Sequence, residues 1–129
     1  MFRMPRERGS ASVEAVGSIA ALAMFLAVIL QLVLVVNAAL VAGHATREGA
    51  RAAALGHPTT GVIALVAAIA GMHPNDADVT VEPNGREPGD LVTVRFATVV
   101  ARVPVLAAIL PELRVVGSAV ARSEVSYGT

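Results

Sequence analysis

An uncharged stretch constrains the fold of this chain more than any other feature of its sequence. No Asp, Glu, Lys or Arg occurs in residues 15–46, and within residues 19–42 only Gln31 and Asn37 are clearly polar. A helix over residues 19–42 would be about 36 Å long, enough to cross a hydrocarbon layer of about 30 Å. The sequence therefore predicts one transmembrane segment at residues 19–42.

Charged residues are distributed unequally on the two sides of this segment. Residues 1–9 hold three arginines against one glutamate, whereas residues 47–129 hold seven arginines against eight acids. Because the basic cluster precedes the apolar segment, the positive-inside rule places the amino terminus in the cytoplasm. We expect a single-pass protein of the cell membrane with an extracytoplasmic domain at residues 56–129.

Composition excludes several kinds of functional site. The chain has no cysteine, 3% aromatic residues and zero formal net charge, which argues against disulfides, thiolate metal sites and nucleic-acid partners. His44, His57 and His73 lack a second ligand at a metal-binding spacing, and we interpret them as solvated residues. We therefore expect no catalytic residue, no metal, no cofactor and no enzymatic activity.

Helical character continues beyond the apolar segment. Small residues recur three or four positions apart, a pattern along which another helix can approach closely: Ala38, Ala42, Ala45, Gly49 and Ala53. Gly56 is well placed to follow the last helical turn, and Pro58 prevents continuation. These signals predict one helix over residues 11–55. In the predicted domain organisation, the segment that contains this helix is residues 10–55, directly after residues 1–9.

The remaining chain is predicted to form a small α+β domain. Thr59 or Thr60 can cap a short, wholly apolar second helix whose body is residues 62–70. Alternating β-branched residues then predict strands at residues 78–82, 91–101 and 113–124, with a short helix or loop between Pro104 and Pro111. The expected fold class is α+β, with a long transmembrane helix, a short helix and a three-stranded antiparallel sheet.

Two short motifs flank the uncharged stretch. The first, at residues 6–14, is Arg-Glu-Arg-Gly-Ser-Ala-Ser-Val-Glu, in which Glu14 is the fifth residue counted from Ser10. The second, at residues 47–53, is Arg-Glu-Gly-Ala-Arg-Ala-Ala. Together they resemble the TadE-like minor pilins, or pseudopilins, of tight-adherence (Flp-type) type IV pili. Ala15 differs from the Phe that this family usually has there, and its early proline near Ala20 is absent.

The resemblance implies a processing site and a set of partners. A prepilin peptidase would remove residues 1–9 as a leader, cutting between Gly9 and Ser10. The Glu14 carboxylate would pair with the terminal amine of a neighbouring subunit and set the axial register during assembly. The implied partners are this peptidase, other pilin subunits, the assembly platform and the lipid bilayer, and the implied roles are in cell adhesion or secretion.

Elementary chemistry is consistent with both sites. Gly9 lets the backbone approach a protease cleft closely, and a carboxylate at the edge of an apolar helix is costly unless it is paired or reaches the interface. The alternative is that Glu14 reaches the headgroups and that Gly9 and Ser10 simply begin a helix. Either way, the macrodipole favours an acid in the first turns of a helix.

Other polar residues near the membrane have two interpretations each. Arg47, Glu48, Gly49 and Arg51 are possible subunit contacts, with local charge pairing among the three charged residues, or they form an ordinary solvated face. Gln31 and Asn37 are either hydrogen-bonded between helices within the bilayer or merely tolerated there.

Two other functions remain open at this point. The chain could be an uncleaved single-pass anchor displaying an adhesin-like binding domain. Alternatively, it could be a secreted domain released by ordinary signal cleavage near residues 42–45.

Overall fold

The computed structural model describes residues 4–83 and 87–124. It is an α+β fold with the predicted layout: one long helix, one short helix and a three-stranded antiparallel sheet. In chain order the elements are α1 (Met4–Ala54), α2 (Thr59–Ala70), a 3₁₀ turn (Pro74–Asp76), β1 (Asp78–Glu82), β2 (Leu91–Val100), α3 (Pro104–Ala107) and β3 (Leu113–Arg122).

Helix α1 has 51 residues and is about 76 Å long at the standard rise. It already includes residues 4–10, so it extends further toward the amino terminus than the predicted start near residue 11. Residues 1–3 of the predicted leader lie outside the described residues. At its other end Gly56 has φ 96°, and the N–H groups of Gly56 and His57 donate to Ala53 and Ala52. This is the left-handed glycine termination that the sequence predicts, and it satisfies carbonyls in the last turn.

Helix α2 begins differently from the prediction. Thr59 and Thr60 are its first two helical residues, and the N-cap position belongs to Pro58 in an extended conformation. Proline fixes φ near the value it adopts here, so the backbone enters the helix without a side-chain cap. At the other end Gly71, with φ 73°, stops the helix as expected.

The sheet has the order β1-β2-β3, and both pairs are antiparallel. Predicted strand starts agree with the structure, while β2 and β3 end one and two residues earlier than expected. Phe96 pairs with Gly117 on β3 and with Val79 on β1, and its ring is 1% exposed. One face of the sheet packs on the helices, and the face opposite is solvated.

The core lies where α1, α2 and the sheet meet, and small residues on α1 make it possible. A side-chain carbon on Gly49 would lie 2.6 Å from a Val66 methyl group of α2 and 3.3 Å from Val94 of β2. The predicted stripe of small residues thus allows close approach, but by elements of the same chain: Gly49 accommodates α2, and Ala42 accommodates strand β3 at Gly117.

Strand β3 runs alongside α1 in the same direction. Gly117 sits against the backbone of Ala42, and the Glu124 N–H donates to the Ala54 carbonyl at 2.9 Å. Leu113, at the start of β3, lies beside Gln31 and Val35. The domain therefore covers α1 from about Gln31 to its end, and the segment connecting β2 to β3 is the part nearest the amino-terminal half of α1.

Candidate assembly interface: the projecting half of α1 and its base

The amino-terminal half of α1 projects from the domain. Every residue from position 9 to position 26 is exposed, including Gly9, Ser10 and Glu14. By length and composition Gly9–Ala54 can cross a membrane, and almost none of its most apolar stretch is buried by the rest of the chain. The residues singled out by the first motif thus share one unpartnered helix segment.

The three motif residues do not pack against the domain of their own chain. Around Gly9 nothing lies within 4 Å of the position that a side-chain carbon would occupy. Glu14 is exposed, and within residues 9–83 and 87–124 no ion pair involves its carboxylate. Contacts within this part of the chain therefore do not account for a charge at the edge of an apolar stretch.

The base of the projection is held by Gln31, for which the sequence suggested a different role. Its Nε2 donates to the Ala101 carbonyl at 3.1 Å, and its Oε1 accepts from the Val103 N–H at 2.9 Å. The side chain is 5% exposed, and both of its partners belong to the same chain. The expectation of an interhelical hydrogen bond within the bilayer is therefore wrong for Gln31, whereas Asn37 stays exposed on α1.

These contacts also change the boundary between the helix and the domain. The predicted transmembrane segment, residues 19–42, includes Gln31 and the fully buried Ala42. Within residues 9–54 of α1, Gln31 is the first buried residue, and before it only Met24 and Val28 line a groove shared with the domain. Sequence reasoning missed this because the partners of Gln31 are about 70 residues away along the chain.

The second motif divides into buried and exposed residues. Gly49 is buried under α2 by Val62 and Val66, so its small size serves a contact within the chain. Arg47 and Arg51 are exposed and lie one turn apart, while Glu48 is half-buried. The predicted pairing among the three charges is wrong: within residues 9–83 and 87–124 the one ion pair joins Arg114 to Asp78 at 3.5 Å.

Arg47 and Arg51 line a groove of about 540 Å³ between α1 and β3. Arg122 and Glu124 approach it from the strand side, so three guanidinium groups and one carboxylate surround it. The groove is open and its charges are exposed, and ion pairs formed there would be screened by solvent and salt.

Two of the three histidines, His57 and His73, hold local backbone turns, whereas His44 is exposed within α1. Nδ1 of His57 donates to the Ala52 carbonyl at 2.9 Å beyond the end of α1. Nδ1 of His73 accepts from the Asn75 N–H at 3.2 Å and caps the 3₁₀ turn. Among the residues that the structure describes, no three His, Cys, Asp or Glu side chains come together in a way that could hold a metal ion.

Comparison with known proteins adds nothing to this picture. No protein-family model, curated protein or solved structure matches the chain. The resemblance to TadE-like pilins therefore depends on the two motifs and on the order of the segments, and it stays a prediction.

Proposed function

We propose that this protein is a TadE-like minor pilin, or pseudopilin, of a tight-adherence type IV pilus. It is inserted with its amino terminus in the cytoplasm, cut by a prepilin peptidase after Gly9, and assembled through α1. The observation that carries the proposal is the projecting half of α1, where Gly9 and Glu14 are exposed and do not pack against the domain.

The surroundings of Gly9 favour cleavage at this bond. Gly9 and Ser10 are helical and exposed, in the part of α1 that does not pack on the domain. A protease cleft generally needs extended backbone, and the first turns of a helix open at low cost. Glycine lowers this cost further, by about 1 kcal/mol relative to alanine in a helix.

Glu14 has a chemical reason to find a partner outside its own chain. It is the last acid before the uncharged stretch, and a carboxylate next to hydrocarbon needs a cation or water. Cleavage would create an ammonium group on Ser10, one helical turn away. Pairing of Glu14 with the terminal ammonium of a neighbouring subunit would satisfy both charges and set the stagger between parallel helices.

The face of α1 turned away from the domain suits helix–helix assembly. It stays apolar beyond Gln31, where Val33, Val36 and Leu40 are 56%, 56% and 68% exposed. Contiguous exposed apolar surface of this kind marks an interaction site. Neighbouring α1 helices in a fibre would cover it, while the small domains remain outside.

Processing can be tested by mass spectrometry of the membrane-extracted protein from a host that has a prepilin peptidase. We expect a mature chain beginning at Ser10 and accumulation of the uncut precursor in Gly9→Ala. Gly17→Ala is the matched control, because Gly17 lies in the same exposed stretch with the same open surroundings. Normal cutting of Gly9→Ala, or a different mature terminus, would refute the proposal.

The role of the carboxylate can be tested separately. Glu14→Gln keeps the size of the side chain and removes its charge, so we expect normal insertion and processing but a lower pilus yield. Glu87→Gln, an exposed acid of the outer domain, is the control. A pilus yield equal to that of the wild type would remove the register role from Glu14.

The competing function is an uncleaved membrane anchor that displays a binding domain, and the open groove beside Arg47 and Arg51 is the observation that favours it. The same amino-terminal determination separates the two, because an uncleaved anchor keeps residues 1–9 in the mature protein.

A further inference from the structure

The connection between β2 and β3 carries an exposed apolar tip. Leu106 of α3 is 3% exposed and packs inward, whereas Val105 and Ile109 beside it are 61% and 71% exposed. Exposed valines and leucines occur elsewhere on the domain, but these two side chains stand beside the apolar groove that the loop shares with α1. The loop is defined here as residues 103–110.

The loop is held rigidly at its base. Gln31 binds the backbone of Ala101 and Val103, at the start of the loop. The Arg102 guanidinium donates to the Leu110 carbonyl at 2.8 Å and so joins the two ends of the loop. These hydrogen bonds fix the orientation of loop 103–110 relative to α1.

The tip faces the part of α1 that is suited to lipid. Between the loop and α1 lies a groove of about 610 Å³ whose walls are apolar except for Gln31. On α1 its lining begins at Met24 and Val28, within the most apolar part of the helix, and Ile109 lines the opposite wall. The apolar surface of the loop is thus continuous with that of the projecting helix.

Charged residues limit how deep the domain can lie. Arg102, Glu112 and Arg114 flank the loop, and all three are exposed. If residues 19–42 spanned the bilayer, Gln31 would lie near the midplane and these charges would be surrounded by hydrocarbon, at a high cost. A span that ends near residue 30 leaves them at the headgroups, where arginine side chains are well accommodated.

We propose that loop 103–110 inserts into the edge of the bilayer on the domain side, with Val105 and Ile109 in contact with lipid acyl chains. The membrane span of α1 is then residues 11–30, about 30 Å long, which places Glu14 near the opposite interface. The tip reaches about 5–10 Å below the headgroups, the depth typical of interfacial anchors. This inference rests on the membrane insertion of α1 and is independent of cleavage and of pilus assembly.

Single-cysteine labelling of the full chain tests the proposal, because the native sequence has no cysteine. Val105→Cys and Ile109→Cys carry an environment-sensitive fluorophore in vesicles of phosphatidylcholine and phosphatidylglycerol, with or without brominated acyl chains. Val116→Cys is the matched control: Val116 is also 61% exposed but lies on β3 beside Gly117, farther from the tip. Leu22→Cys, at a 58% exposed position of α1, reports insertion of the helix itself.

We expect brominated lipid to quench the labels at positions 22, 105 and 109 by about half or more, and to leave position 116 nearly unchanged. Quenching at 22 without quenching at 105 and 109 would overturn the loop anchor while leaving the membrane helix intact. No quenching at 22 would overturn both. Spectral shifts at 105 and 109 that depend on protein concentration and not on bromination would assign the tip to a second protein copy and overturn the lipid contact.

Discussion

Substitution of Gly117 by alanine tests how closely β3 must approach α1. The added carbon would lie 2.6 Å from the carbonyl oxygen of Ala42, 2.8 Å from its carbonyl carbon and 3.0 Å from its Cβ. Favourable heavy-atom contacts need about 3.5 Å or more, so the strand and the helix must separate by roughly 0.5–1 Å. Ala42 lies within helix α1 and Gly117 within strand β3. Neither residue can therefore relieve the contact by rotating a side chain.

The energetic cost follows from this geometry. Overpacking of a close-packed interface typically costs about 1–3 kcal/mol, and separation here would also loosen the packing around Phe96, the residue paired with Gly117. No positive φ is involved at Gly117, so the substitution tests packing and not backbone strain. We expect Gly117→Ala to lower the free energy of unfolding by about 1–3 kcal/mol.

Pulse proteolysis of the full-length protein in detergent, at increasing urea concentration, measures this change. With an m-value of about 1.5 kcal/mol/M, the urea midpoint should fall by roughly 0.7–2 M. Gly43→Ala is the control, because its added carbon would meet only an Arg47 nitrogen at an ordinary 3.7 Å. It should leave the midpoint unchanged or raise it, since alanine favours helix by about 1 kcal/mol. An unchanged midpoint for Gly117→Ala, or an equal fall for Gly43→Ala, would refute the reasoning.

Two further sites in the same protein can be tested with the same assay. Gln31→Met keeps the size of the side chain but removes both of its backbone hydrogen bonds, and it should lower the free energy of unfolding by about 1–3 kcal/mol. The control Asn37→Leu, on the exposed face of α1, should leave that free energy nearly unchanged. Equal effects of the two would show that the Gln31 contacts contribute nothing. Gly49→Ala should destabilise less than Gly117→Ala, because the gain in helix propensity offsets part of the clash with Val66. The double variant Gly49→Ala, Val66→Ala should lose less stability than the sum of the two single losses, and simple additivity would argue against a direct clash.

The elements of this fold follow from local patterns. Apolar residues without charge specify the helix, alternation specifies the strands, and glycines at positions 56 and 71 end helices where left-handed backbone is needed. Each signal lies within a few residues of the structure that it predicts. The exception at the start of α2 is also local: which residue occupies the cap position is a difference of one residue that sequence patterns do not resolve.

The sequence alone identified both motifs of the candidate site, but not how exposed their residues are. Glu14 and Gly9 were identified by a motif, and the structure adds that both are exposed on the part of α1 that projects from the domain. Nothing in the sequence separates the residues of the second motif: Arg47, Glu48, Gly49 and Arg51. In the structure Gly49 is buried against α2, while the two arginines line an open groove. Burial depends on which elements pack on a helix face, and a one-dimensional pattern does not contain that information.

By itself, the sequence determined the order and type of the elements, the long apolar helix and the acid that precedes its uncharged stretch. The tertiary structure alone decided at which residue the domain begins to cover that helix. In the sequence, Gln31 is an isolated amide within an apolar segment. In the fold, its side chain is hydrogen-bonded to the backbone of Ala101 and Val103. Local propensities act over one or two turns of chain. Contacts between residues 70 positions apart depend on how helices and sheet pack together, and these contacts decide how much of α1 the domain covers.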